Sequence, residues 1–329
     1  MQLLMQITRN FVKRLLLFLI VVVTAIQLNA QQLPYPYPVQ YFSLSIEGNE
    51  YKMAYMDVAS PTTRGETVVL LHGKNFNGYY WKDVIAALTK EGYRVIVPDQ
   101  IGWGKSDKPV VHYSFPLLAN NTKKLLDSLG IKKVHVVAHS MGGMLATRFA
   151  VMYPNTVAKL VLENPIGLED YSLFVPYQTT DKLYANERQA TYESLKKYQQ
   201  SYYPQWKPEY EQYVQAQLDA FLLGDKDNNA LVNALTYQMI YEQPVVYYFS
   251  KIGAPTLLII GQHDRTVVGK NLLSEEQKKQ YGDYPALGRK TKSAIQNASL
   301  IELPGVGHIP HVQAFDTYKR HLIQFLKKP

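Results

Sequence analysis

The stretch Val134 to Met152 constrains this chain most. VHVVAH is a short β-branched apolar run and reads as a buried strand. MGGMLATRFAVM is rich in Ala, Met and Leu and reads as a helix. Only Ala138-His139-Ser140-Met141-Gly142 is left to carry the chain from one to the other. The bend is therefore sharp, forces Ser140 into strained dihedrals and brings neighbouring backbones close. Small residues two before and two after the serine, Ala138 and Gly142, relieve that crowding, and Gly143 extends the permissive side. The bend lifts the serine hydroxyl above the sheet edge. It also sets Ser140 at a helix N-terminus, where unpaired N–H groups and the dipole favour developing negative charge. An ordinary strand–helix junction with a polar N-cap serine has the same local pattern, so the rest of the chain decides between the two.

The chain has 329 residues, a length that suits one large domain or two ordinary ones. It has no cysteine, which removes disulfides, thiol nucleophiles, thiolate metal sites and a lipoprotein anchor together. Arg9, Lys13 and Arg14 form a basic segment with no acidic residue before Ala30. Leu15 to Ile26 is an apolar run of roughly a dozen residues, short for a membrane span and suited to a signal peptide. Residues 1–30 therefore read as a secretory signal cleaved after Ala30, although Leu28 is larger than the preferred small residue; an uncleaved N-terminal anchor is the rival. The expected mature protein is exported, periplasmic or extracellular, with no stable membrane insertion. Residues 31–40 (QQLPYPYPVQ) read as an extended, poorly packed leader. The formal charge is +8, of which the signal contributes three. The remaining lysines are scattered without a basic stripe, which argues against a nucleic-acid partner.

In chain order, Tyr41–Ile46 and Tyr51–Asp57 read as a hairpin around Glu47-Gly48-Asn49-Glu50. Thr67–Leu71 is a buried strand running into His72-Gly73-Lys74-Asn75. Tyr80–Glu91 has helical spacing at Trp81, Val84, Ile85 and Leu88, with Gly92 as a stop. Tyr93–Pro98 is the next strand and ends in Asp99-Gln100-Ile101-Gly102-Trp103-Gly104-Lys105-Ser106. The third glycine of a dinucleotide fingerprint is missing there, so the glycines serve a tight loop. Leu117–Leu129 is a helix and Lys159–Leu162 a strand. Thr256–Ile260 and Ser299–Leu303 are later strands, followed by Gly261-Gln262-His263-Asp264 and Gly307-His308 respectively. Phe315–Leu326 closes the chain as an amphipathic helix. The polar stretch Asn271–Arg289, with Gly282, Pro285 and Gly288, reads as a surface excursion near the site.

From Ile166 to about Phe249 strand-like runs disappear and tyrosines crowd in. Helical stretches are expected at Asp181–Gln200, Glu209–Leu223 and Asn229–Ile240. This reads as a helical cap, residues 166–249, inserted between two core segments, 41–165 and 250–329. Tyrosine offers apolar area with a polar tip, which suits a lid, although most of these rings are expected simply to pack cap against core.

Four elements in order, His72-Gly73, the bend at Ser140, Gly261-x-x-Asp264 and Gly307-His308, make the chain resemble the α/β-hydrolase superfamily over nearly all of its mature length. Ala138 stands for the usual first glycine of G-x-S-x-G, and Gln313 stands where many relatives have glutamate, a departure that bears on helix packing. The resemblance implies an α/β fold: a mostly parallel, eight-stranded-type sheet with helices on both faces and an inserted helical cap. It implies a catalytic triad of Ser140 as nucleophile, His308 as base and Asp264 as orienting acid, all at the carboxyl edge of the sheet. It implies an oxyanion hole from the backbone N–H groups of Lys74 and Met141. His72 then reads as a structural histidine. His311 and His263 compete weakly for the base, and Glu163, at the end of the preceding strand, competes with Asp264 for the acid.

No metal-ligand spacing is visible and no cofactor is implied. The expected function is a carboxylesterase-like serine hydrolase that cleaves a carboxylic ester through an acyl-enzyme, its partner being a small-molecule substrate, an apolar or aromatic ester. Carbon–carbon, lactone or thioester hydrolysis on the same fold is the alternative, as is a ligand-binding protein that keeps the fold without turnover.

Overall fold

A computed structural model describes residues 35–328. The signal segment and its cleavage point lie outside the described residues. The strands are β1 (Val39–Ile46), β2 (Asn49–Val58), β3 (Thr67–Leu71), β4 (Arg94–Pro98), β5 (Val134–His139), β6 (Val157–Glu163), β7 (Thr256–Gly261) and β8 (Ala298–Leu303). They form one eight-stranded sheet in the order β1-β2-β4-β3-β5-β6-β7-β8. β1 and β2 pair antiparallel through a two-residue turn, Glu47-Gly48, with both φ values positive. β2 also meets β4 antiparallel, and all later pairs are parallel.

The inner strands are apolar throughout because they are covered on both faces. Alternate residues enter two different cores. Val69, Leu71, Val136, Leu258 and Ile260 pack with residues from the helices Phe115–Ser128, Met141–Met152 and Tyr284–Ala294. Val68, Leu70, Val137, Leu257 and Ile259 pack with residues from Lys82–Lys90 and Phe315–Lys327.

Between β6 and β7 the chain leaves the sheet as four helices, Thr180–Glu187, Tyr192–Gln200, Glu211–Leu222 and Lys226–Glu242. The sequence suggests one helix over 181–200, whereas the structure breaks it. Thr191 caps a new helix, its side chain accepting from Ser194 N while the Ser194 hydroxyl reaches back to the Thr191 backbone. Among the described residues, no helix is long and apolar enough to cross a membrane.

Two expectations are corrected. Residues 271–289 are not merely a surface excursion: Tyr284–Ala294 is the crossover helix between β7 and β8. It packs so closely that a Cβ on Gly288 would lie 3.0 Å from Ile260 Cγ1. Pro285 and Gly288 disguise it in sequence, the first as a first-turn proline and the second as a packing site. The described part of the leader, residues 35–40, is not loosely packed either. β1 already begins at Val39, and Tyr35 donates its hydroxyl hydrogen bond to Asp99. Asp99 also accepts from Gly78 N at 2.7 Å and Lys105 N at 2.8 Å, so its carboxylate ties the leader to two loops. A Cβ on Gly104 would fall 2.1 Å from Asp99 Oδ2, which reserves that position for glycine. Tyr35→Phe removes a hydrogen bond to a buried carboxylate and is expected to cost about 1.5–3 kcal/mol, read as a lowered urea midpoint with unchanged slope. A midpoint equal to the parent's contradicts this role for the leader.

Candidate active site

The β5–helix bend places Ser140 at φ 55° and ψ −121°, a backbone conformation that side-chain-bearing residues rarely adopt. Packing holds it there. A Cβ at Gly142 would lie 2.3 Å from the Leu71 carbonyl oxygen, and one at Gly143 would lie 2.4 Å from Pro165 Cβ. The helix can start this close to β3 and to the segment after β6 only with glycine at those two positions. Ser140 N donates to Glu163 O at 3.2 Å, and Ser140 O accepts from Gly143 N at 2.8 Å.

His308 Nε2 lies 3.0 Å from Ser140 Oγ, and His308 Nδ1 lies 2.7 Å from Asp264 Oδ2. The carboxylate can only accept, so Nδ1 carries the proton and Nε2 turns a lone pair to the serine hydroxyl. The structure therefore brings Ser140, His308 and Asp264 into one hydrogen-bonded line. Asp264 Oδ2 also accepts from Asn164 Nδ2 at 2.6 Å, and Oδ1 from Thr266 N at 2.9 Å. Burial alone would raise the Asp264 carboxyl, but the adjacent His308 and these donors outweigh it and hold the group below its ordinary range.

Glu163 does not reach His308. Its Oε1 accepts from His311 N at 2.7 Å and lies 2.8 Å from His311 Nδ1, deep beneath the site. His263 is exposed. His72 Nε2 accepts from Gln100 N at 3.0 Å and its Nδ1 lies 2.9 Å from Gly73 O, which leaves no ring nitrogen for substrate. Lys74 stands on the cavity wall, its carbonyl held by Trp103 Nε1 at 2.7 Å. The loop that carries it touches the serine, since a Cβ on Gly73 would lie 3.0 Å from Ser140 Cβ. Met141 opens the following helix, where the N–H has no partner within the helix.

Sequence reasoning missed the roles of three positions, Gln313 having been read only as a matter of helix packing. Asn164, at φ 36°, donates to Asp264 while its Oδ1 accepts from Gly261 N at 2.9 Å. Tyr202 stacks on the His308 ring at 4.7 Å, and its carbonyl accepts from His308 N at 2.8 Å. Gln313 accepts from Gly307 N at 2.7 Å and donates to Gly305 O at 3.0 Å, bracing the loop that bears His308. The glutamine, set where glutamate was expected, can do both because its amide has a donor as well as an acceptor. A positive φ at an asparagine and a ring in the cap leave no signature in one-dimensional spacing.

Ser140 lines a cavity of ≈ 480 Å³ between sheet edge and helical insertion. Phe76, Trp103, Ile166 and Val268 contribute apolar wall, and Leu195, Tyr198, Tyr202, Phe221 and Tyr237 face them from the insertion. Tyr203 and Tyr210, by contrast, stack on each other at 4.0 Å and belong to a core cluster. The mostly apolar wall also carries polar and charged groups. Lys74 and Lys108 line it with Asn75, Asn186 and Asn271, against a single acid, Glu187. Burial lowers the Lys108 pKa, and its ammonium donates to Gly104 O at 2.9 Å.

This fold and site define an α/β hydrolase. The model of the alpha/beta hydrolase fold matches residues 66–315, and the chain belongs to that family. It is 43% identical to a solved probable hydrolytic enzyme from Pseudomonas aeruginosa, covering 90% of this chain and 96% of that one with a TM-score of 0.88. It is 32% identical over 299 residues to a 2-hydroxy-6-oxononadienedioate/2-hydroxy-6-oxononatrienedioate hydrolase of Burkholderia vietnamiensis, covering 88% of this chain and 96% of that protein. A hydrolase of the same description from Paraburkholderia xenovorans is 31% identical over 267 residues, covering 79% of this chain and 86% of that protein. A solved enol-lactonase from Burkholderia xenovorans, 20% identical with a TM-score of 0.67 and covering 87% of this chain and 100% of that one, shares the fold.

Burial pushes the His72 and His139 pKa values below 6.5, His139 further because His308 and His311 stand close. Depressed folded-state values stabilise the native state above the unfolded value, and that contribution is lost as pH falls through the folded one. The urea midpoint is expected to drop between pH 7.5 and 5.5, less steeply in His139→Gln. A midpoint that is level or rising over that interval contradicts the assignment of neutral buried rings.

Proposed function

We propose that Ser140, His308 and Asp264 act as nucleophile, general base and orienting acid in hydrolysis of a carbon–carbon bond beside a ketone in an acidic oxo substrate. The unbroken line from Ser140 Oγ through His308 to Asp264 on the wall of the cavity carries this reading. In the first step Ser140 Oγ adds to the carbonyl carbon while His308 takes its proton. The oxyanion faces the N–H groups of Lys74 and Met141. Collapse of the adduct breaks the carbon–carbon bond. Before the attack the dienol ketonises, its enol proton passing to the carbon beside the ketone, so that carbon is saturated. On collapse the departing electron pair is delocalised through the remaining carbon–carbon double bond into the new 2-oxo group, and the dienolate takes the proton from His308. Water, deprotonated by His308, then releases the acid from Ser140.

The bond type is supported by the names of the relatives, whose substrates are dienedioates and trienedioates with a 6-oxo group. Lys74 and Lys108 on the cavity wall suit such dianions. A carboxylic ester is the second reading. It is favoured by the aromatic wall and uses the same first step, with an alkoxide as leaving group. A non-catalytic binding protein has no use for the serine–imidazole–carboxylate line. Export with cleavage after Ala30 is part of the proposal and rests on the basic and apolar N-terminal segment.

Ser140→Ala is expected to lose on the order of 10⁴-fold or more in turnover with the fold intact. Asp264→Asn should fall by about 10⁴-fold in kcat with little change in KM, whereas Glu163→Gln should stay within about tenfold. The reverse order moves the acid one strand earlier. Comparing kcat/KM on a 2-hydroxy-6-oxodienedioate and on p-nitrophenyl esters of graded length decides the bond: preference for the dioate supports the carbon–carbon reading, and preference for the esters overturns it. Lys108→Met should raise KM for the dianion by about tenfold and leave the neutral esters unchanged.

A further inference from the structure

Behind the triad runs a second hydrogen-bonded line that the mechanism above does not use. Gly73 N donates to the Tyr80 hydroxyl at 2.9 Å. That hydroxyl lies 3.1 Å from His139 Nδ1, and His139 Nε2 lies 2.9 Å from the His308 carbonyl oxygen. Both ends have fixed polarity: an amide N–H can only donate and a carbonyl oxygen can only accept. The proton positions between them follow. Nε2 of His139 carries the hydrogen and donates to His308 O, so Nδ1 is a lone pair. The Tyr80 hydroxyl therefore donates to Nδ1 and accepts from Gly73. A protonated His139 would present two donors and break the contact to Tyr80. Its complete burial, with His308 and His311 nearby, keeps it neutral.

The line joins the loop that carries Lys74 to the loop that carries His308, and it passes through the residue directly before Ser140. Contacts of several kinds hold it in place. A Cβ on Gly73 would sit 3.2 Å from His139 Nδ1, and the His139 and His308 rings are 4.8 Å apart. Tyr80 stacks on Phe76 at 4.6 Å, and His311, whose backbone N and Nδ1 donate to Glu163 Oε1, meets the Tyr80 ring edge-on at 4.7 Å. Each residue on the line is buried, so an unmade bond there has no water to replace it.

We infer that Tyr80 and His139 are positioning residues that lock the oxyanion loop and the base loop in one register about Ser140. This rests on the hydrolase reading above. The line contributes to the tetrahedral state, where the oxyanion donors and His308 must be aligned at once, and much less to ground-state binding.

The test uses Tyr80→Phe, which keeps the ring and removes only the hydroxyl, and His139→Gln. Three quantities are measured in the full-length protein: kcat and KM, affinity for an aryl boronic acid, and affinity for the carboxylate product. In the boronate complex Ser140 Oγ adds to trigonal boron as its proton passes to His308, giving a tetrahedral anion in the oxyanion site. For Tyr80→Phe we expect kcat and boronate affinity to fall together by about tenfold, with KM and product affinity within twofold of the parent. His139→Gln should behave alike, and the double variant should lose no more than the worse single one, since one line is broken either way. A folded Tyr80→Phe or His139→Gln that keeps both kcat and boronate affinity overturns the inference. So does equal weakening of boronate and product, which marks general loosening of the site. Absence of turnover in the parent would instead refute the hydrolase reading itself, and turnover retained in Ser140→Ala would refute Ser140 as its nucleophile, so these failures are told apart from that of the inference.

Discussion

The helix that starts at Met141 begins so near β3 that position 142 has room for a hydrogen only. That close approach governs the site. It fixes the direction of the helix, forces Ser140 into positive φ and sets the hydroxyl at the sheet edge. The strain is small beside the burial around it: the bend lies between a strand buried at every residue and a helix whose first turns are buried. The energy that holds an unfavourable serine backbone thus comes from apolar packing on both sheet faces.

Around this point the loops are tied by polar groups that have few alternatives. Asp99 gathers Tyr35 and the backbone of two loops. Asn164 connects the end of β6 to Asp264 and to Gly261. Gln313 and Tyr202 fix the two sides of the His308 loop. Buried as they are, these groups cost more unpaired than they contribute paired, so each admits few conformations. The arrangement converts a loop-built site into a rigid one. Meanwhile the helical insertion supplies the outer wall of the cavity.

Much of this was legible in the chain. β3, β5 and β7 read as strands because strands covered on both faces are continuous apolar runs, and Glu47-Gly48 marked a hairpin. The bend at Ser140 was readable because crowding selects small residues locally. What escaped depends on distant partners. Asn164 acquires its role from an aspartate a hundred positions later. Glu163 and Asp264 both follow strands, and only the third dimension shows that one faces His311 and the other His308. The helix Tyr284–Ala294 was hidden by a proline and a glycine that serve capping and packing, and the break near Thr191 by a capping box inside an otherwise helical pattern. The polar share of the cavity wall was likewise invisible, since Lys74 and Lys108 meet it from separate loops.

The central claim is that this scaffold makes one serine nucleophilic. Reaction of the full-length protein with a fluorophosphonate, followed by peptide mass mapping, tests it most directly. The account predicts one adduct per chain, located on Ser140 and absent after denaturation before labelling. An unlabelled Ser140 in folded protein, or an adduct on any other residue, would contradict it.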